Sequence, residues 1–354
     1  MSLSAVSTNT SFRNVCIFLN SFPKIAVEME NYKITGRAGE GAHGCVFQGM
    51  ELASSKVVAL KKININVDLG IPKNLMREIC SLRALKHKNI VKIFDVTSMG
   101  SSVVLVMEFL PCSLQQILKN TQLSLAQIKT YSKMLLSGVR FMHKSHIMHR
   151  DIKPANLLIS PKGCLKIGDF GLARLFNADP SRQYSHQVAT RWYRAPELLY
   201  GSKTYTPAID MWSVGCIIAE MINGTPLFPG ESDIGQLAIV LSTLGTPTEE
   251  TWPDLKQLPD YNKISFISSS GKRWRLILPT ADHATLDLMR QILIYDGQKR
   301  FTAQQALSHQ FFIEDPKPAT LKDLPDPKGC LRSERPSYNP QEFDEIIEQI
   351  NKIS

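Results

Sequence analysis

The stretch HRDIKPANLL, residues 149–158, sets a carboxylate, Asp151, between two cations, Arg150 and Lys153, and places an amide, Asn156, five residues after it. A chain that gathers an acid, a base and a metal-seeking amide on so short a loop is arranging chemistry on charged oxygens. His149, one step before Arg150, reads as support for the loop rather than as a reacting group. What reaction this is depends on what stands on either side.

Downstream lies KIGDFGLAR, residues 166–174, in which Asp169 follows a short strand. Such a carboxylate suits Mg²⁺, which takes one or two protein oxygens together with phosphates; the alternative is a plain β-turn, since Asp and Gly are turn residues. Upstream, Val57–Lys61 reads VVALK, an ammonium on an apolar strand. Lys61 is either a solvated edge lysine or an inward-facing one, and the latter needs anions to meet it. Glu78 on the following helix offers one carboxylate, and nucleotide phosphates the rest. Earlier still, AGEGAHGCVF (residues 38–47) holds Gly39, Gly41 and Gly44 in a G-x-G-x-x-G-x-V pattern, which brings backbone N–H groups close to phosphate oxygens. A glycine-rich hairpin explains that pattern equally well. A dinucleotide fold would need a helix directly after it; the next element is the VVALKK strand, which points away from an oxidoreductase.

No one of these pieces decides the matter. Their order does: glycine loop, strand lysine, helix glutamate, HRDxKxxN, DFG and APE (Ala195–Glu197) together indicate phosphoryl transfer. In that setting Asp151 accepts or orients the proton of an incoming hydroxyl. Lys153 neutralises the transferring group, and Asn156 joins Asp169 in holding Mg²⁺.

Composition agrees with this and excludes other classes. The chain has 354 residues, 43% hydrophobic and 21% charged, enough for one large domain or two fused lobes around a packed core. Its net charge of +9 is compatible with nucleic acid or an anionic membrane, but Lys and Arg are spread and not blocked into runs. Clefts that bind phosphates account for it better. The seven cysteines (16, 45, 80, 112, 164, 216 and 330) form no CxxC pair, which argues against zinc and a disulfide framework and for a reducing compartment. No apolar run approaches a membrane span, and VCIFL (Val15–Leu19) is too short for a signal-peptide core.

Residues 1–28 are rich in Ser, Thr and Asn and read as a disordered extension, with patterned sequence starting near Met29. Short β-rich pieces follow to Phe109, interrupted by one helix whose Leu75, Ile79 and Leu82 share a face. After Pro111 the pattern turns helical. Ser124 and Gln127 make a capping box, and Leu125, Ile128, Tyr131, Leu135 and Val139 trace the helix behind it towards His143. The run AIDMWSVGCIIAEMI (residues 208–222) is apolar nearly all round, as a helix at the centre of a lobe would be. From Pro316 the chain becomes a Pro-rich strap. It ends in a further helix capped by Asn339 and Pro340, with a Phe343, Ile346, Ile347, Ile350 stripe expected to dock on its own domain rather than on a partner.

Over residues 32–312 these motifs resemble the eukaryotic protein kinase family. HRDIKPAN, with its lysine two residues after the aspartate, is similar to the serine/threonine branch. PKNLMRE (72–78), VATRWYRAPELLYG (188–201), DMWSVGC (210–216), LFPGESDI (227–234), LGTP (244–247) and LPDYNKISF (258–266) resemble the cyclin-dependent kinase group. The resemblance implies an α+β bilobal fold: a small β-rich N-lobe with one key helix (29–110), a larger mainly α-helical C-lobe (111–312) and a tail (313–354). It implies ATP- and Mg²⁺-dependent phosphorylation of serine or threonine before proline, with Asp151, Lys153, Lys61 and Glu78 catalytic and Asn156 and Asp169 on the metal. The nucleotide site would take Ala38, Gly39, Glu40, Gly41, Ala42, His43, Gly44, Cys45, Val46, Ala59, Lys61 and Leu158. Met107 would guard the back of the adenine pocket, with the Glu108 and Leu110 backbone on the adenine edge. Ser185 stands where relatives carry an activating phosphothreonine, with Arg77, Arg150 and Arg174 to receive the phosphate. Tyr184 and Thr190 are weaker phosphosites, since the match makes Thr190 a partner of Asp151 and Lys153.

The same match implies protein substrates with Ser/Thr-Pro sites, a related kinase of the male germ cell-associated type among them, and a cyclin or cyclin-like activator. It also implies a monomer or heterodimer with no nucleic-acid partner, acting in ciliary assembly, length control and the cell cycle, in cytoplasm, nucleus and cilium. Two departures stand out. The helix reads KNLM (Lys73–Met76) where cyclin-binding relatives read STAI, and the loop tip is Ala42–His43 where many carry the phosphorylatable Thr-Tyr. A pseudokinase scaffold is the competing class, but Lys61, Asp151 and Asp169 are all present. A basic nucleic-acid binder would need clustered Lys/Arg with interleaved aromatics, which the sequence lacks.

Overall fold

The computed structural model describes residues 31–41, 44–65, 72–99, 102–177, 182–186 and 188–327. The expected N-terminal extension (1–28), the loop-tip pair Ala42 and His43, and the C-terminal helix (339–350) lie outside the described residues.

Five strands come first. β1 (Tyr32–Gly41), β2 (Gly44–Glu51), β3 (Lys56–Asn64), β4 (Ile93–Met99) and β5 (Ser102–Glu108) form one antiparallel sheet in the order β1-β2-β3-β5-β4. Period-two alternation sorts the apolar side chains of β3 and β5 to opposite faces. Val58, Leu60, Val104 and Val106 pack with Phe47 on one face. Ile63, Val103 and Leu105 turn to the other and meet helix α1 (Lys73–Ala84) through Leu75, Ile79 and Cys80. The stripe expected from Leu75, Ile79 and Leu82 is buried along its length, and Leu82 joins the core of the second lobe. So α1 is packed on both sides of the interlobe boundary. β3 runs between β2 and β5, which rules out the edge-lysine reading of Lys61.

Helices dominate after Pro111. α2 (Leu114–Asn120) and α3 (Leu125–Lys144) each open on a capping box; in α3 it is the expected pair, Ser124 and Gln127, each side chain accepting from the other's backbone N–H. Ile128, Tyr131, Leu135 and Val139 of α3 are buried. Further on lie α4 (Ala208–Asn223), α5 (Asp233–Leu244) and α6 (His283–Ile292). Every residue of α4 from Ile209 to Ile222 is buried, which explains its lack of a polar face. Gly215 lets α6 come close, because a Cβ there would stand 2.7 Å from Ile292 and 2.8 Å from Leu293.

Short strands knit the cleft floor. β6 (Cys112–Ser113), β8 (Leu157–Ile159) and β9 (Leu165–Ile167) make one small sheet, and β7 (Ile147–Met148) pairs with β10 (Arg174–Leu175). Past Phe312 the chain forms a strap over α3. Lys129 Nζ donates to the Glu314 carbonyl (2.9 Å), Thr130 Oγ1 to that of Ala319 (2.8 Å) and Gln127 Nε2 to that of Asp323 (2.6 Å). The strap's Leu324 then seats against Gly163 in the β8–β9 turn. Among the described residues no helix is long and apolar enough to cross a membrane.

Candidate active site

Alternation on β3 puts Lys61 on the same face as Ile63, towards α1. There its Nζ meets both carboxylate oxygens of Glu78, at 2.7 and 2.9 Å, and lies 3.7 Å from Asp169 Oδ1. Burial works against the Lys61 charge, but Glu78 and Asp169 outweigh it and raise the ammonium above its ordinary value. It stays a cation. Asp169 follows β9 with φ 58°, a left-handed conformation that costs roughly 1 kcal/mol or more outside glycine. Phe170 beside it is fully buried, with its ring 4.7 Å from that of His149.

The loop of residues 149–158 sits beneath. Asp151 Oδ1 accepts from the Thr190 N–H (2.9 Å) and hydroxyl (3.0 Å), while Oδ2 takes Lys153 Nζ (2.8 Å) and Asn156 Nδ2 (3.1 Å). Lys153 also donates to Thr190 Oγ1 at 2.8 Å. The expected role of Thr190 as a partner of both residues is what the geometry shows. Asn156 Nδ2 further donates to the Asp151 carbonyl at 2.9 Å. Both bonds use the amide nitrogen, so the amide oxygen is the end left for a hard cation. With the Asp169 carboxylate this makes a two-oxygen donor set, which fits Mg²⁺ completed by phosphates.

His149 supports the loop, as expected. Its Nδ1 accepts from the Asp151 N–H (3.2 Å) and its Nε2 faces the Gly168 carbonyl (2.9 Å), which fixes the orientation of the ring. Under the loop lies Asp210, the first acid of the central helix α4. Its Oδ2 accepts from the His149 N–H (2.9 Å) and faces His143 Nε2 (2.8 Å), and its Oδ1 accepts from the Arg150 N–H (2.8 Å). Burial alone would raise this carboxyl. The His143 hydrogen bond and charge, with His149 and the Arg150 N–H, hold it below the ordinary carboxylate range. These bonds also retain Arg150 at φ 69°.

On the nucleotide side β1 and β2 form a hairpin whose Gly41 pairs with Gly44, with a strand next in sequence and not a helix. That is the arrangement expected of a phosphate-covering loop rather than a dinucleotide turn. Ala38 and Gly39 are exposed on β1, and Cys45 and Val46 half-buried on β2. Ala59 pairs across the sheet with Met107, and Leu158 on β8 is half-buried below. Leu110, at the lobe junction, is half-buried too. The Glu108 N–H is taken by the Lys92 carbonyl (3.0 Å) and its carboxylate by Lys166 (2.9 Å), which fixes the segment that would border adenine.

Arg77, Arg150 and Arg174 arrive from α1, the loop and β10. Burial and then the like charges of Arg174 and Arg150 depress the Arg77 guanidinium, the mark of three cations brought together. Arg150 donates to the Leu172 carbonyl and to Tyr205 Oη (2.8 and 2.9 Å), and Tyr205 donates to the carbonyl of Ser185 at 2.6 Å. The Ser185 side chain is exposed, whereas the Tyr184 ring is buried against Tyr205.

Several partners escaped the sequence reading. Ala189 has φ 64°, and Arg194 donates to its carbonyl (3.0 Å) and to that of Val188 (2.9 Å). Glu197 of APE is held by Arg300 at 2.9 and 3.2 Å. Asp210, its partner His143 and Tyr205 had no local signal beyond an acid in an apolar run.

Known proteins resemble the chain along most of its length. The protein kinase domain family matches residues 32–312. A Danio rerio protein named cyclin-dependent kinase 20 is 48% identical over 320 residues, covering 89% of this chain and 93% of the relative. Its Homo sapiens namesake is 48% identical over 304 residues, 85% of this chain and 88% of the relative. Among solved structures, the CAK complex of Chaetomium thermophilum bound to ATP-γ-S superposes with a TM-score of 0.78 at 36% identity, covering 83% of this chain and 95% of that one.

Because the Asp210 carboxyl is depressed in the folded state, its contribution to stability is complete above the unfolded carboxylate pKa of about 3.9 and is lost as pH falls through the folded value. Asp210→Asn should cost about 3 kcal/mol at pH 7, since one buried N–H then faces an amide donor. Thermal unfolding across pH 3–7 checks this: the gap between variant and parent should close towards the acid end.

Proposed function

The chain belongs to the protein kinase family, as a serine/threonine kinase of the cyclin-dependent type, and from that premise we propose that it phosphorylates hydroxyls that precede proline. The observation that carries the mechanism is the fixing of Asp151 by Thr190, Lys153 and Asn156, which leaves one oriented carboxylate at the mouth of the cleft. An acceptor hydroxyl bound there donates its proton to Asp151 while its oxygen bonds the γ-phosphorus of ATP. The bond to the bridging oxygen breaks and ADP leaves. Lys153, 2.8 Å from Asp151, neutralises the moving phosphoryl oxygens. Lys61, held by Glu78, steadies the phosphates that stay on ADP. Mg²⁺ on Asp169 and Asn156 would supply charge neutralisation of the phosphates.

The preference for proline rests on Ala189, one residue before Thr190. Its left-handed backbone turns the carbonyl to Arg194 at 3.0 Å, so a substrate N–H after the acceptor finds no partner there. Proline has no N–H to leave unpaired. For activation we assign Ser185 as the phosphosite: it is exposed, tied through Tyr205 to Arg150, and accompanied by a three-arginine cluster whose repulsion a phosphate would relieve. Lys61 and Glu78 are already paired in the single chain, so a cyclin or cyclin-like activator would act on the KNLM helix by holding it rather than by assembling it. A related kinase of the male germ cell-associated type as substrate, and a role in the cell cycle and at the cilium from cytoplasm and nucleus, rest on the family resemblance alone.

Three measurements test this reading. Asp151→Asn should lower phosphate transfer to a Ser-Pro peptide about 10²-fold or more with ATP binding kept; undiminished turnover would remove Asp151 from the mechanism. A Ser-Ala peptide should be phosphorylated about tenfold more slowly than its Ser-Pro twin, the rate effect of one unpaired N–H. Ser185→Ala enzyme purified from cells should lose about tenfold in activity, as should phosphatase-treated parent enzyme; full activity in the variant would place the switch elsewhere.

A further inference from the structure

A groove of about 1580 Å³ runs between the end of α3, the start of α4 and the base of the activation segment, and reaches Ala84 at the end of α1. Its floor is apolar: Phe141, Ile147, Phe176, Met211 and Phe301. Its rim carries the cations Arg140, Lys144 and Arg182 beside the imidazoles of His87 and His146, and no Asp or Glu is among the described residues that line it. Arg300 and His143 also reach it, but Glu197 pairs with Arg300 and Asp210 faces His143 Nε2 from behind. Arg140 has an amide partner, Gln304 Oε1 at 3.1 Å. The positive field is felt locally: burial, then Lys88, Arg140 and Lys166, depress His87.

An apolar floor with a cationic, acid-free rim fits an amphipathic segment whose polar face is acidic. This chain carries one. Residues 341–350 read QEFDEIIEQI, with Phe343, Ile346, Ile347 and Ile350 at helical spacing and Glu342, Asp344, Glu345 and Glu348 between them, and no base. The strap delivers the chain to the right side. Its Leu324 seats on Gly163, and the next residue, Cys164, touches the Lys88 carbonyl at 3.7 Å, one residue from His87 on the groove. The 13 residues between Pro327 and Gln341 span about 45 Å when extended. A tether of this length sets an effective concentration of order mM, so even a weak contact is populated.

We propose that the groove is the docking site of the chain's own acidic C-terminal segment, residues 341–350, bound in cis with its apolar stripe on Phe141, Phe176 and Phe301 and its carboxylates on Arg140 and Lys144. The occupant then covers Leu175 and Phe176 at the root of the activation segment, and the wall that holds His143 against Asp210. The inference is independent of the phosphoryl-transfer mechanism, since no group in the groove touches the reacting atoms.

Hydrogen exchange of the full chain tests it. Amides of residues 343–350 should exchange at least tenfold more slowly in the parent protein than in a free peptide of that sequence. The paired reversal Glu345→Lys/Glu348→Lys should abolish that protection and expose peptides covering Phe141–Ile147. Arg140→Glu/Lys144→Glu should do the same, and combining the two reversals should restore protection. A tail that exchanges at the free-peptide rate in the parent would overturn the proposal and leave the groove to another protein's acidic segment. Protection that grows with protein concentration would overturn it in favour of a second copy, and protection that survives both reversals would remove the charge pairing on which it stands.

Discussion

The Asp210 carboxylate, at the head of a helix with no solvent face, is the fixed point from which the catalytic loop hangs. A buried anion is costly unless its lone pairs are filled. Here two backbone N–H groups of the loop and one histidine fill them. The exchange is mutual: the loop donors would be unpaired without the acid, and Arg150 could not hold its left-handed backbone without the bond to its N–H. From that anchor the order propagates outward. His149 sets the Asp151 N–H and the Gly168 carbonyl, and Asp151 in turn organises Lys153, Asn156 and Thr190. Chemistry at the cleft is therefore referenced to a helix buried from Ile209 to Ile222 in the larger lobe.

Among the described residues the smaller lobe shows no such anchor and is referenced through α1. Leu75 and Ile79 belong to its core while Leu82 belongs to that of the larger lobe, and Glu78 sits between them on the same helix. Any rotation of α1 that improves one contact set worsens the other, and the first polar interaction to feel it is the Lys61–Glu78 pair. The helix has neither a side-chain N-cap nor an acidic residue in its first turn. Without these local aids its position depends on packing more than on its own propensity. An activator that grips this end would be supplying what the sequence withholds.

Much of this was legible in the sequence because it is periodic or ordered along the chain. The stripe of α1, the Ser124–Gln127 box and the apolar run of α4 are local patterns with one physical solution each, and the order of the phosphate-handling motifs fixed the cleft. The direction of Lys61 was not legible, since alternation places a lysine on a face without saying whether its strand is an edge or the centre. Nor were the partners that lie far apart: His143 and Asp210 are separated by 67 residues, and Glu197 and Arg300 by 103. Ala189 is a different kind of miss. Alanine carries no hint of positive φ, and only the Arg194 side chain bonding two successive carbonyls makes that backbone affordable.

The surplus of cations can be read in the same terms. Lys and Arg exceed Asp and Glu by 41 to 32, yet the excess is not a uniform coat. Glu78, Asp210 and Glu197 each answer a specific base, while other cations are brought together in two places: the arginine cluster under the activation segment and the rim of the groove behind it. Like charges held close by packing are a standing repulsion that only an anion relieves. The cluster under Ser185 suits a compact dianion, because its guanidiniums converge from three elements. The groove suits an extended acid with an apolar back, because its cations line an edge and phenylalanines make its floor. The two sites meet on β10, where Arg174 belongs to the cluster and Leu175 to the groove.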